Sequence, residues 1–202
     1  DRGAGLMRLH SHLAVVAAGV LALAALGVPR AGVAAEPGSR EAIDQAAAVN
    51  TELALAYMRE GNLKAAREKI DKALQQDART ANTQMAAGFV YDKLGDKKKA
   101  LSHFEQAVKL GGKDNPDVVA NAAVYFCMNG EPKRGEQYML QAAASPLNAR
   151  PDVAYTNAGR CARGDGRPKD AEQSFRKALA RNPMQPDALM QTAELAQQGG
   201  NG

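Results

Sequence analysis

A 34-residue period dominates the central part of this chain of 202 residues. Residues 52–77 align with residues 86–111 without a gap, and the two segments share tyrosine, glycine and alanine at the same offsets. A fixed period of this length indicates one structural unit that is stacked repeatedly. The matched positions are, in chain order, Tyr57, Gly61, Ala66, Ile70 and Ala73; Tyr91, Gly95, Ala100, Phe104 and Ala107; Phe126, Gly130, Gly135, Met139 and Ala142; and Gly159, Gly166, Ala171, Phe175, Ala178 and Pro183.

Each unit is predicted to consist of two helices joined by a turn. Small residues at frame positions 8, 20 and 27 let the two helices approach closely, and a glycine ends the first helix where positive φ is convenient. An aromatic content of only 4% and the absence of Trp favour packed helices over a β-sandwich. The pattern resembles the tetratricopeptide repeat. It predicts an all-α fold, a tetratricopeptide-repeat α-solenoid of four repeats plus a partial fifth.

The frame divides the chain into seven segments. Extra residues around Pro116 and in the segment 145–151 lengthen two connections between repeats. Because repeat arrays normally end on a polar capping helix, the last first-helix, predicted over 186–198, is either that cap or the sign of a truncated chain, and the irregular ends favour truncation. The segments are 1–35, an export signal region; 36–46, a lead-in; 47–80, 81–114, 116–149 and 152–185, the four repeats; and 186–202, the partial fifth repeat and tail.

The N-terminal region has the layout of a signal peptide. A short basic segment after Met7 precedes an apolar run of 15 residues over 13–27, which is short for a transmembrane helix, and small residues follow. Cleavage after Ala34 or Ala35 would release a protein that works outside the cytoplasm; an uncleaved membrane anchor is the alternative. Cleavage after Ala35 lowers the formal charge from +4 to +2 (23 basic against 21 acidic residues), so the basic balance gives little support to nucleic-acid binding.

The sequence offers little for an enzyme. Without residues 1–35, His103 is the only histidine, and a structural or solvated role suits it better than a place in a zinc site, which takes three or four ligands. No glycine-rich phosphate loop follows a strand. We therefore expect no catalytic residue, no metal and no cofactor. The run of lysines over 97–99 is predicted to be a solvated face of a second helix.

Cys127 and Cys161 are the only cysteines. They lie on first helices of successive repeats, which pack side by side, so their Cα atoms could come within the range of about 4.4–6.8 Å that a disulfide needs. The alternative is a pair of small buried thiols that serve as core residues. An even pair in an oxidising compartment favours the bridge.

Function in such an array usually lies on the concave surface that the first helices form. The predicted partner-binding residues there make an apolar, methionine-rich strip, and each could instead be a core residue. Asn121 and Asn157 share a frame position from which an amide can bind an extended peptide backbone, or can make a hydrogen bond within the array. Arg160 and Arg163 could meet a carboxylate. The strip comprises Leu55, Met58, Met85, Phe89, Val124 and Met128.

Two segments carry a more specific resemblance. "NAAVYFCMNG" (121–130) resembles a segment that typically reads Asn-Asn-Tyr-Gly-x-Phe-x-Cys, and residues 145–189 resemble the Pro-Leu connection and the Asn-x-Gly-x-Cys helix that follow it. Together they resemble the type IV pilus biogenesis and stability proteins, the PilF/PilW family, over about residues 45–198. Ala122 and Ala123 depart from that pattern.

The resemblance implies a non-enzymatic, exported scaffold whose partner is the secretin PilQ or another pilus-assembly protein, and which promotes the assembly or localisation of PilQ at the outer membrane. It also strengthens the pairing of Cys127 with Cys161, and places a partner-binding groove in the early repeats at Leu55, Met58, Met85 and Phe89. Members of the family typically carry an acylated Cys after the signal core, and no Cys stands there in this sequence. Two alternatives therefore stay open: a lipid-anchored protein, and a periplasmic protein with a peripheral association with the outer membrane. A generic periplasmic adaptor for another cell-envelope assembly machine is the alternative function.

Overall fold

The computed structural model describes residues 36, 38–112 and 114–200, and this part of the chain contains helices and no strand. The all-α prediction is therefore confirmed. The predicted export signal lies outside the described residues. Among the described helices, none combines the length and the apolar character needed to cross a bilayer. The helices are α1 (Arg40–Arg59), α2 (Leu63–Gln76), α3 (Ala81–Lys93), α4 (Lys97–Gly111), α5 (Pro116–Met128), α6 (Pro132–Ala144), α7 (Pro151–Gly164), α8 (Pro168–Arg181) and α9 (Pro186–Gly200).

Consecutive helices form hairpins, α1 with α2, α3 with α4, α5 with α6 and α7 with α8, and each hairpin packs on the next. The turn of the first two hairpins is set by Gly61 and Gly95, whose φ angles are +79° and +81°, a region that side-chain-bearing residues rarely adopt. The next residue but one starts the second helix, and Asn62 and Asp96 cap it by accepting hydrogen bonds from backbone N–H groups at 3.2 and 3.1 Å. The repeated arrangement is a solenoid.

Helix α1 begins at Arg40, inside the segment predicted as a lead-in. The Ser39 side chain caps it by accepting a hydrogen bond from the Ala42 N–H at 3.1 Å, and Arg40 pairs with Asp44 one turn later at 2.9 Å. These polar signals lie outside the 34-residue apolar pattern. The pattern therefore marks where the repeat begins, while the helix starts about two turns earlier.

Close packing within each hairpin depends on the pairing of frame positions 8 and 24. A Cβ built on Gly88 would lie 2.8 Å from the ring of Phe104, and one built on Gly159 would be closer still to Phe175. In the other two repeats the small residue is alanine, and the large one is Ile70 or the unbranched Met139. Glycine at position 8 is thus paired with phenylalanine at position 24, and alanine at position 8 with a smaller side chain. The pairing keeps the packing density of the interior constant.

The buried apolar residues of the described part of the chain form one large cluster and two small ones. The large cluster runs from α1 to α5 and contains Ile70, Phe104 and Phe126, all fully buried. The small clusters lie in the later repeats: one around Met139 and Ala158, the other around Ala162, Ala171 and Phe175.

Candidate partner-binding surface

The early part of the predicted strip is half-buried. Leu55, Met58, Met85 and Phe89 each pack one side against the large cluster and leave the other accessible. The ring of Phe89 meets Phe104 edge-on, with 5.1 Å between centroids. Each of these side chains therefore belongs to the core on one side and is accessible to a partner on the other.

Leu55 and Met85 lie together in a groove of about 290 Å³ between α1 and α3, the α1–α3 groove. Its wall includes three threonines that the sequence did not single out, Thr51, Thr80 and Thr83. Thr83 Oγ1 lies 3.1 Å from Thr51 Oγ1 and accepts a hydrogen bond from Thr80 at 2.6 Å, while Thr51 donates to the Ala47 carbonyl. This buried hydroxyl chain ties α1 to α3 and fixes the width of the groove.

A larger concavity of about 570 Å³ lies between α5 and α7, with the start of α6 as its floor; we term it the α5–α7 groove. It brings together four of the predicted partner-binding residues, Val124, Met128, Asn157 and Arg160, and both cysteines. Four more residues line it that were not predicted from the sequence to bind a partner. Gly130 lies in the turn between α5 and α6, Pro132 begins α6, Met139 is a buried core residue, and Gly164 has no side chain.

The structure places Cys127 and Cys161 at disulfide-bonding contact, with 5.6 Å between their Cα atoms. Cys161 is buried in the cluster around Met139, and its Sγ lies 3.0 Å from the Pro132 carbonyl oxygen. The frame glycine Gly135 makes this possible, since a Cβ there would lie 2.5 Å from Cys127 Sγ. The geometry fits a bridge between α5 and α7.

The two predicted arginines differ in their surroundings. Arg160 is exposed on α7 and, within the described residues, makes no ion pair or side-chain hydrogen bond. Arg163 does not line the α5–α7 groove; its guanidinium donates to the Glu194 carboxylate and joins α7 to α9. Of these two arginines, Arg160 is therefore the one without a carboxylate partner among the described residues.

The two asparagines also differ. Asn157 is half-buried and lines the α5–α7 groove, whereas Asn121 is exposed and lines neither groove. Neither side chain makes a hydrogen bond to another residue in the part of the chain that the structure describes. The predicted alternative, a hydrogen bond within the array, is therefore not made in this structure.

His103 is half-buried and has structural contacts. Its Nδ1 lies 2.7 Å from Gln84 Oε1, and its ring stacks on Tyr91 at 5.3 Å. Burial lowers the pKa of His103, and the positive charge of Lys99 lowers it further. Burial, followed by the hydrogen bond to Asp71, raises the pKa of Tyr91 to about 12. No group of His, Cys, Asp and Glu suited to a metal occurs among the described residues.

The lysines at 97–99 lie on the surface at the start of α4. Lys97 pairs with Asp92 at 2.6 Å and Lys99 with Asp96 at 3.7 Å, and all three side chains are exposed. A run of this kind adds solubility and contributes little to stability, because exposed ion pairs are screened by water.

Tetratricopeptide repeat models match residues 45–111 and residues 156–201, which together make up more than half of the chain. The chain belongs to the tetratricopeptide repeat family. Both matched ranges contain the small residues at frame positions 8 and 20 that let each hairpin close.

Within the tetratricopeptide family, the chain is similar to proteins of type IV pilus assembly. It is 24% identical over 152 residues to the type IV pilus assembly protein PilF of Pseudomonas aeruginosa, an alignment that covers 75% of this chain and 60% of PilF. The crystal structure of PilW, described as a widely conserved type IV pilus biogenesis factor, superposes with a TM-score of 0.66 at 27% identity and covers 77% of this chain and 71% of PilW. The predicted resemblance is confirmed.

A structure of Pseudomonas aeruginosa PilF supports the same fold, with a TM-score of 0.68 at 23% identity over 79% of this chain and 71% of that one. The chain spans 60% of the length of the curated PilF sequence.

Proposed function

We propose that this protein is a non-enzymatic scaffold for type IV pilus biogenesis, which binds the secretin PilQ through its concave surface and promotes PilQ assembly or localisation. The observation that carries the proposal is the similarity to PilF in sequence and to PilW in structure, over three quarters of the chain. The concave surface adds support, because the described first helices present two grooves with apolar side chains, and in the α5–α7 groove Asn157 and Arg160 have no partner among the described residues.

The proposal includes an exported, periplasmic protein with a peripheral association with the outer membrane. The signal-like pattern of residues 13–27 supports export. The contact between Cys127 and Cys161 supports an oxidising compartment, where the pair forms a disulfide bridge.

Co-purification tests the binding step. Met85→Glu together with Phe89→Glu puts two charges on the half-buried strip and should abolish capture of PilQ from detergent-solubilised envelopes. Far-ultraviolet circular dichroism should remain helical, because neither side chain is fully buried. Capture by a folded double variant at the level of the unchanged protein would contradict the role of this strip.

A generic adaptor for another cell-envelope assembly machine is the competing function, and the same experiment separates the two. If a purified wild-type protein captures outer-membrane assembly proteins or cell-wall enzymes and no PilQ, the adaptor replaces the pilus scaffold.

A further inference from the structure

We propose that the α5–α7 groove binds an extended peptide segment in which an acidic side chain adjoins an apolar one. This inference rests on the proposed partner-binding function and deepens it, because it names the chemistry that a partner segment must present. The partner is then recognised by a carboxylate and a neighbouring apolar side chain, not by apolar contact alone.

The charge of the groove gives the first argument. Arg160 is the only charged residue among the ten that line it, and it is exposed and unpaired within the described part of the chain. Two other arginines of the later repeats already bind carboxylates. Arg134 donates to Glu105 and Glu131, each at 2.9 Å, and Arg167 donates to three carboxylates. A guanidinium with its donors unused binds a carboxylate in a two-pronged geometry.

The apolar lining gives the second argument. Val124 and Met128 lie one turn apart on α5, so that they share one face of that helix. Met128 is 79% exposed, which is unusual for a large apolar side chain, and Met139 lies deeper in the groove at 2% exposure. Methionine adapts to partners of different shape, and covering Met128 would remove apolar surface from water.

The placement of the polar groups gives the third argument. Asn157 and Arg160 are three residues apart on α7 and share the face that looks across the groove toward α5. Within the described part of the chain, the amide of Asn157 has no hydrogen-bond partner, so that its N–H and C=O groups can bind the C=O and N–H of a peptide backbone. In the proposed complex, Asn157 binds the peptide backbone, Arg160 binds the acidic side chain, and Met128 contacts the apolar one.

The cysteine pair holds the two walls at a fixed separation. Cys127 lies on α5 beside Met128, and Cys161 lies on α7 beside Arg160, with 5.6 Å between their Cα atoms. The apolar wall and the charged wall are thus joined directly beneath the opening. A groove of fixed width binds with a smaller ordering cost than a mobile one.

Immobilised peptides of matched composition test the proposal with the purified full chain. The probes are Gly/Ser-flanked peptides that carry Leu-Asp, Phe-Asp, Leu-Glu or Phe-Glu pairs, each with an amide partner (Asn or Gln) and a partner whose apolar residue is Ser. The acidic peptides should bind about tenfold more tightly than their amide partners. Equal binding of acidic and amide peptides, or no binding of any probe, would overturn the proposal.

Matched protein variants assign the effect to the groove. Arg160→Gln should abolish the preference for acidic peptides, whereas Arg181→Gln, which removes an exposed and unpaired arginine from α8, should leave it unchanged. Met128→Ser should weaken the binding of every acidic peptide severalfold, and Met184→Ser, which removes a side chain of nearly equal exposure (78%), should not. An acidic preference that survives Arg160→Gln would overturn the proposal.

Two further readouts separate this inference from other outcomes. A chain that sediments as a dimer, and becomes a monomer in Met128→Ser, would show that a second copy occupies the groove and would overturn the peptide assignment. Loss of pili on gene deletion, combined with no acidic preference, would leave the pilus function standing and refute only this inference. If the protein prefers acidic peptides but deletion of its gene leaves pili intact, this inference stands and the pilus function is refuted.

Discussion

Helices α1 to α5 share one continuous apolar core, whereas the later helices are joined by two small apolar clusters, by ion pairs and by the cysteine contact. In the early part, Phe104 stacks on Tyr125 at 4.2 Å and meets Phe89 edge-on. In the later part, Arg167 contacts Glu136 on α6 at 2.5 Å, and Arg163 joins α7 to α9.

The difference shows that one repeat pattern can be stabilised in two ways. Where the frame supplies aromatic residues, burial of apolar area holds successive hairpins together. In the later part, ion pairs and the cysteine contact take over the same task. The strength of an ion pair depends on its geometry, and the cysteine contact depends on redox state. The groove with the free Arg160 lies in the second part, where the small residues leave space between first helices.

The largest expected effect separates the two cores. Phe104→Ala should lower the free energy of unfolding by about 5 kcal/mol, near the upper end for a buried aromatic residue, because Phe104 packs against Phe89 and Tyr125. Phe175→Ala should cost about 3 kcal/mol, since among the described residues Phe175 has no aromatic neighbour. Urea unfolding followed by circular dichroism measures both, and an equal or larger loss for Phe175→Ala would break the comparison.

The cysteine pair should give the next largest effect, confined to the later part. Reduction of the bridge should lower the free energy of unfolding by about 2–4 kcal/mol, because the unfolded chain regains the freedom that the loop removes. Cys127→Ser with Cys161→Ser should be insensitive to reductant.

Quantification of free thiols in the unfolded, unreduced protein provides the check. Protein purified from the periplasm should contain no free thiols. Two free thiols per chain would show that the bridge does not form and that the pair serves as a core contact.

A smaller effect is expected from the ion pairs. Arg167→Met should cost about 1–3 kcal/mol, because it leaves the carboxylate of Glu136, only 13% exposed, without its partner. Arg176→Met removes a pair with Glu172 on the surface of α8, at 75% and 47% exposure, and should cost about 0.5 kcal/mol or less. Thermal unfolding measures both variants, and an equal loss of stability in the two would show that the Arg167 contacts stabilise the fold no more than a surface ion pair does.

The smallest effect concerns His103 in the early part. Burial lowers its pKa in the folded state, so the unfolded chain binds a proton first as the pH falls. Stability should therefore be constant above the ordinary histidine pKa of about 6.5 and should decline as the pH falls through and below it. In His103→Gln, the urea midpoint should change less between pH 7.5 and 5.5 than in the unchanged protein. An equal change in the two proteins would show that His103 does not cause this pH dependence.

Much of the fold was predictable from the 34-residue period, because the small residues at positions 8 and 20 and the turn glycines act locally. The approach of Cys127 to Cys161 was also predictable, because the 34-residue period places both residues on neighbouring first helices, which pack side by side. The contact between Arg163 and Glu194 was not, because it joins side chains on different helices whose rotamers leave no trace in the period. The division of the concave strip into two grooves was not predicted from the sequence, because it depends on the buried hydroxyls of Thr51 and Thr83 and on the space that Gly135 leaves for Cys127.

The most direct test of the pilus-scaffold proposal compares cells with and without this gene, by a gel of PilQ multimers and a count of surface pili. The proposal predicts that deletion reduces the multimers to monomers or removes them, that pili are lost, and that the gene supplied in trans restores both. Normal multimers and normal pili in the deletion strain would contradict it.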